Sequence, residues 1–342
     1  MKKYILLFTV VITLMNFQPH SINLIPETPN STPIYWCTWN RQNFEGGTKV
    51  DSMEVLAGAE GATKARQSLD EQLLFSPQGW AMNYFSSIKK DMIIVLDDGW
   101  DVPLTNFVGY FGSIEIDSSR FPSFKGNPEM RLKQLVDKAK TAGWRGVGLW
   151  ICAQEYPNDL TRSNFENPLD YEKDYWEKRL TWSKNAGIMY WKIDWGQKSH
   201  SLEFRKMITQ MAKQIAPGLI VEQTVCISPL NYSSENKLEQ NIIHTAFKQF
   251  EFAEVFRTYD VTNQLSIPST LERVSEYLKF EGNSPTILNC EDEPYIAAAL
   301  GCVAGIMRFP ADAAFIASHP SYYFNSGKNS PIPEILINVL MK

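Results

Sequence analysis

Tyr190-Trp191-Lys192-Ile193-Asp194-Trp195-Gly196 is an apolar run that carries a lysine and a carboxylate two positions apart and then stops at glycine. A strand alternates its side chains with period two, so Lys192 and Asp194 share one face at the strand's C-terminal end. A lone buried carboxylate is expensive, whereas one beside an ammonium stays ionised at neutral pH and can act as a nucleophile. Asp194 is therefore the candidate nucleophile. An ordinary ion pair closing a buried strand is the alternative reading of these seven residues, and the surrounding chain decides between the two.

Outward from this stretch the chain alternates. Upstream, a charged-faced helix over 171–185 stops at Gly187; downstream, a helix over 202–216 closes at Pro217-Gly218 and a strand follows over 219–225. Further strands are expected at 34–39, 92–96, 146–152, 253–259 and 286–288, with a weak eighth near 313–317. Helices are expected over 130–142, 238–250, 270–280, 294–304 and 333–340, and a helical tract over 61–90 is interrupted by Pro77-Gln78-Gly79. The loop over 102–128 carries Phe107, Tyr110, Phe111, Phe121 and Phe124 and is expected to cover part of a mouth. Eight strands separated by helices of this length predict right-handed parallel crossovers and a closed (β/α)8 TIM barrel in the α/β class. A doubly wound open sheet is the alternative.

Composition narrows the function classes. The 342 residues, 44% hydrophobic, suffice for one large barrel, and the net charge of −5 comes from interspersed acids and bases. With no basic stripe, nucleic acid is excluded as a partner. Ten Trp among 13% aromatics suit a protein that stacks ring-shaped ligands, although a Trp-rich core uses the same residues. Residues 1–22, with Met1-Lys2-Lys3 before an apolar run, read as a signal peptide, 23–33 as a leader segment and 34–342 as the catalytic barrel. A secreted or periplasmic protein with no membrane span is expected. The five cysteines (Cys37, Cys152, Cys226, Cys290, Cys302) lack CxxC spacing, and Cys37, Cys152 and Cys226 are expected as buried free thiols. The four histidines show no HxH or HExxH, so no zinc site and no metal or organic cofactor is expected.

In such barrels chemistry collects at the C-terminal strand ends. Carboxylates stand there on several strands: Asp97 and Asp98 on the second, Asp194 on the fourth and Asp260 on the sixth, with Arg257 three residues before Asp260. Two facing carboxyls, one ionised and one protonated, are the machinery of glycoside hydrolysis. The turn at Gly99 can aim both Asp97 and Asp98 inward at sugar hydroxyls; turn chemistry or a divalent cation would also use an Asp-Asp-Gly. Arg257 could hold a substrate hydroxyl or, exposed, pair with Glu254.

Four motifs in order amount to a resemblance. Trp36-Cys37-Thr38-Trp39, Leu96-Asp97-Asp98-Gly99-Trp100, Trp191-Lys192-Ile193-Asp194 and Arg257-Thr258-Tyr259-Asp260 resemble the first-strand, second-strand, nucleophile and acid/base segments of retaining α-galactosidases and raffinose synthases. The resemblance implies that Asp194 forms the covalent glycosyl-enzyme and Asp260 is the acid/base. It implies that Trp39 stacks on the sugar, that Asp97 and Asp98 bind its 4- and 6-hydroxyls, and that Lys192 contacts those at 3 and 4. Trp150, Cys226 and Arg257 complete the expected substrate-binding set. The sequence departs from the pattern where many members place the acid/base, four residues after the arginine: here that residue is Val261. The fifth-strand segment Val225-Cys226-Ile227-Ser228-Pro229 also lacks the acid that some members use to read the 2-hydroxyl. The clan's C-terminal β-domain has no room before Lys342, so a lone barrel or a piece of a longer chain is expected. The implied activity is hydrolysis of a terminal α-linked sugar from an oligosaccharide or glycan. A transglycosylase, or a carbohydrate-binding barrel without turnover, are the other readings.

Overall fold

The computed structural model describes residues 32–48, 59–104, 112–154, 168–224, 235, 237–257, 274–275, 286–292, 294–311 and 332–333. Eight strands form one parallel sheet: β1 (Tyr35–Cys37), β2 (Ile93–Leu96), β3 (Gly146–Ile151), β4 (Tyr190–Ile193), β5 (Ile220–Thr224), β6 (Val255–Arg257), β7 (Ile287–Asn289) and β8 (Gly305–Ile306). Neighbours follow chain order from β7 back to β1, and β8 pairs with the far side of β1. A parallel bridge between Asn289 and Val303, with the Cys290 N–H donating to Val303 O at 2.9 Å, brings β7 against the approach to β8. The ring is thus nearly closed, a (β/α)8 barrel.

The helices are α1 (Trp39–Asn43), α2 (Ala59–Gln67), α3 (Glu71–Phe75), α4 (Trp80–Asn83), α5 (Pro128–Thr141), α6 (Pro168–Ala186), α7 (Leu202–Ile215), α8 (Lys237–Gln249) and α9 (Pro294–Leu300). Local chemistry sets their starts. The Asn127 side chain accepts the Met130 N–H at 2.9 Å ahead of Pro128, and Ser201 does the same for Phe204 at 3.2 Å. Leu132, Leu135, Val136 and Ala139 then form the buried stripe of α5.

Period two sorts the strand residues cleanly. Trp36, Ile94, Leu96, Val147, Leu149, Trp191, Ile193 and Val221 face the helices and join one large apolar core. Tyr35, Cys37, Ile93, Val95, Tyr190 and Met307 form a separate small cluster inside the barrel. The same alternation turns Lys192, Glu222, Arg257 and Asn289 inward, where they bond to one another's neighbours and to Asp97, Tyr35 and Tyr190.

Several expectations are corrected. The expected eighth strand at 313–317 lies outside the described residues, and its place in the sheet belongs to Gly305–Ile306. Two residues are too few to show alternation, and Gly305 is there because the Tyr35 ring fills the space: a Cβ would stand 2.4 Å from Tyr35 Cζ. Pro333, expected to begin a last helix, instead pairs with Ala311 in a two-stranded ladder of Pro310–Ala311 and Ile332–Pro333. The tract at 61–90 is three short helices, α2, α3 and α4. Phe121 and Phe124 do not line the mouth; they stack at 5.5 Å in the apolar core, where Phe124 also meets Phe75 at 6.5 Å. Cys37 and Cys152 are buried free thiols. Cys226, Phe107, Tyr110, Phe111 and the expected signal peptide lie outside the described residues. Among the described residues no helix is long and apolar enough to cross a membrane.

Candidate active site

The C-terminal ends of the strands carry a buried charged network. Asp194 follows β4, its backbone N–H bonded to Ile151 O at 3.0 Å and its carbonyl accepting Arg205 Nη2 at 3.0 Å. Its Oδ2 receives Arg257 Nη2 at 2.9 Å and Trp150 Nε1 at 3.1 Å, and Lys192 Nζ stands 3.9 Å away. Burial pushes this carboxyl up, but Arg257 and then Lys192, helped by the two hydrogen bonds, hold it at about 2. Asp194 is therefore an anion throughout the neutral range, and the shared face of Lys192 and Asp194 is as the alternation requires.

Arg257 is 1% exposed, so the reading of an exposed arginine paired with Glu254 is overturned. Its guanidinium joins Asp194 to Glu291 on Nη1 at 3.4 Å and to Glu222 near Nε at 3.4 Å. Burial pushes its pKa down, but Asp194, Glu291 and Glu222 together outweigh that and hold it above the ordinary value. Glu254 sits at the opposite end of the barrel, before β6, where its Oε2 accepts the Val221 N–H at 3.0 Å. Glu222 in turn accepts Asn289 Nδ2 at 2.6 Å, Tyr190 Oη at 2.8 Å and Tyr35 Oη at 3.3 Å. Burial, opposed by Arg257, leaves its carboxyl above the ordinary range.

At the end of β2, Asp97 takes Lys192 Nζ at 2.6 Å and the Cys37 thiol at 2.8 Å on one oxygen, while the other accepts the Asp98 N–H at 2.8 Å. Burial and then Asp97 push the Cys37 thiol up, so it stays protonated and donates. Burial pushes Lys192 down, but Asp97, Cys37 and Asp194 together outweigh it, and the ammonium stays charged.

The turn at Gly99 does not bring both acids to one point. Asp98 turns to α2, where Arg66 Nε meets its Oδ1 at 2.8 Å, and among the described residues its Oδ2 has no hydrogen-bond partner. Burial raises it to about 7, against the pull of Arg66 and with the push of Asp97 and Asp101. Each acid of the Asp-Asp pair already faces a cation of the protein, and among the described residues no group of His, Cys, Asp or Glu is placed to hold a metal ion.

Trp39 is half-buried at the start of α1, packed on the inner cluster of Tyr35, Cys37 and Met307. Trp150 points inward from β3 to Asp194, so Trp39, Asp97, Trp150, Lys192, Asp194 and Arg257 surround one barrel interior, with Asp98 at its edge. Asp260 and Cys226 lie outside the described residues. Sequence reasoning did not single out Glu222 or Arg66. For Glu222 the signal was present, a lone acid at an inward position of Ile220–Thr224; Arg66, on a polar helix segment, carries none. A cavity of about 400 Å³ lined by Asp70, Phe75, Arg120 and Lys138 lies between α3 and α5, away from these groups.

No family profile matches the sequence, and no curated protein matches it. Solved structures do. A GH27 β-L-arabinopyranosidase from Geobacillus stearothermophilus is 13% identical at a TM-score of 0.48, covering 82% of this chain and 72% of its own. A candidate α-galactosidase/melibiase from Bacteroides fragilis is 15% identical at 0.45, covering 93% of this chain and 59% of its own. The carboxyl transferase domain of Rhizobium etli pyruvate carboxylase aligns as well, at 13% identity and 0.45, over 91% of this chain and 46% of its own. Likeness at this level is shared by barrels of unrelated chemistry, so function has to be argued from the site. The chain spans less than two thirds of the second and third of these structures.

Proposed function

We propose that this chain is an exported retaining α-glycosidase of the α-galactosidase type, acting on a terminal α-linked sugar of an oligosaccharide or glycan. The observation that carries the reading is the Asp194 carboxylate, held at about 2 at the C-terminal end of a barrel strand by Arg257, Lys192 and the Trp150 indole. An anion kept ready among fixed cations suits attack on an anomeric carbon, since it is charged at every working pH. In the first step Asp194 bonds to that carbon while Asp260 protonates the departing oxygen. In the second, Asp260 takes a proton from water, which displaces Asp194. Asp97 and Lys192, already paired at 2.6 Å, present an acceptor and a donor to sugar hydroxyls, and Trp39 offers a ring face beside them.

A panel of nitrophenyl α- and β-glycosides tests the reading, with release expected from an α-galactoside or a related α-sugar. A mechanism-based fluoro-sugar is expected to label Asp194. Sugar binding by calorimetry without release from any member would leave a carbohydrate-binding barrel in its place, and labelling of another carboxylate would remove Asp194 from the role.

A further inference from the structure

Trp195 directly follows the proposed nucleophile and is 41% exposed, whereas Lys192, Arg257 and Trp150 around that nucleophile are at most 2% exposed. Single exposed apolar residues are ordinary on protein surfaces. Trp195 differs in how firmly its backbone is held and in what stands beside it. Its carbonyl accepts the Ala153 N–H at 2.9 Å, and Lys198 N–H donates to Ala153 O at 2.8 Å, so the turn after β4 is bonded to the end of β3. Gly196 locks the same turn: its φ is +149°, and a Cβ there would lie 2.2 Å from Ala153 O. The Trp195 ring stands 5.9 Å from the ring of Trp150, whose indole N–H holds Asp194.

We propose that Trp195 is the stacking platform for the sugar ring on the leaving-group side of the scissile bond. The inference rests on the glycosidase reading above and adds a subsite to it. A sugar bonded to Asp194 occupies the buried depth between Asp97, Lys192 and Arg257. Its leaving group must then point out toward solvent, and the exposed indole at the rim is the apolar face that an outgoing ring meets. An indole presented on a rigid turn loses little freedom on binding, so its contact with the apolar face of a sugar is retained as affinity.

Substrates with and without a leaving ring separate this role from one at the nucleophile. On an α-linked disaccharide of the sugar that the panel selects, Trp195→Ala is expected to lower kcat/KM about tenfold or more. On the α-glycosyl fluoride of that sugar, whose leaving group is a single atom, the same variant stays within about twofold of the parent. Trp195→Phe should recover most of the loss and Trp195→Leu little of it. That pair carries the contrast by itself if the alanine variant fails to fold. Equal loss on both substrates, or no loss on either, overturns the platform while leaving the glycosidase reading intact. A parent protein inactive on both removes the two together.

Discussion

The two sides of the barrel wall are built from different chemistry. Outside, between strands and helices, the core is mainly apolar, with Trp36 stacked on Trp144 at 5.9 Å and Trp176 packed edge-on against Trp191 and Phe204 at 6.1 and 5.4 Å, and a buried Arg205–Gln223 bond at 2.6 Å interrupts it between α7 and β5. Inside, the apolar cluster is small, and above it Lys192 and Arg257 stand among Asp97, Asp194, Glu222 and Glu291. Apolar burial stabilises without direction, whereas buried charges repay their desolvation only where each is paired and hydrogen-bonded. The outer layer thus holds the fold, and the inner one spends part of that stability on holding groups in place.

The largest effect that would sharpen this contrast is expected from Asp194→Asn. Turnover should fall by ~10⁴-fold or more, about 5 kcal/mol or more in barrier, because the substitution removes the bond-forming oxygen and keeps the volume. Stability to heat should fall modestly, by no more than the stabilisation the ionised carboxylate contributes, since Arg257 keeps Glu222 and Glu291. A drop as large as that expected of Arg257→Met would mean that this one carboxylate, and not only the cation it shares, carries the fold.

Arg257→Met should damage both properties, costing about 3–5 kcal/mol in denaturant unfolding as three buried carboxylates lose their shared cation, together with most activity. Trp176→Ala, on the outer side, should cost a similar ~3–5 kcal/mol through the cavity it leaves but preserve turnover per folded molecule. If kcat on the folded fraction fell with Trp176→Ala as well, the division of labour between the two sides would be wrong.

The smallest effect is a dependence on pH. Asp98, raised to about 7, binds more protons folded than unfolded between its ordinary pKa near 4 and about 7, so its contribution to stability falls as pH rises through that window and is flat above it. Asp194, depressed to about 2, contributes in the opposite sense: its stabilisation is complete above about 4 and is lost as pH falls through 2. The two windows do not overlap. Melting temperatures of Asp98→Asn should therefore decline less than those of the parent between pH 4 and 7, although Asp101, raised to about 6, keeps part of the slope. An unchanged slope would assign the dependence to other groups.

Much of this was legible in residue order. Alternation in Tyr190–Ile193 and in Ile93–Leu96 implied which residues face inward, and apolar runs stopped by acids and glycine located the C-terminal ends of the strands. Helices with caps and continuous stripes, such as α5 and α7, were readable because capping and a 3.6-residue period are local properties. The two-residue β8 was not, because a strand held only by its neighbours and by the Tyr35 ring over Gly305 leaves no pattern of its own. Lys192 beside Asp194 was readable from their spacing, but the other partners of the charges belong to the tertiary structure. Nothing in the order of residues tells Arg257 from a surface arginine or joins Arg66 to Asp98. Burial, which sets Asp98 near 7 and leaves Asp194 near 2 beside its cations, exists only once eight strands have closed around them. The sequence by itself determined the alternation of strands and helices and placed Asp97 and Asp194 at C-terminal strand ends, while closure of the sheet into a barrel was left open against a doubly wound sheet. Only the closed ring decided the remaining pairings of acid with cation, because apart from Lys192–Asp194 they join residues from 32 to 95 positions apart through a low-dielectric interior that no local segment possesses.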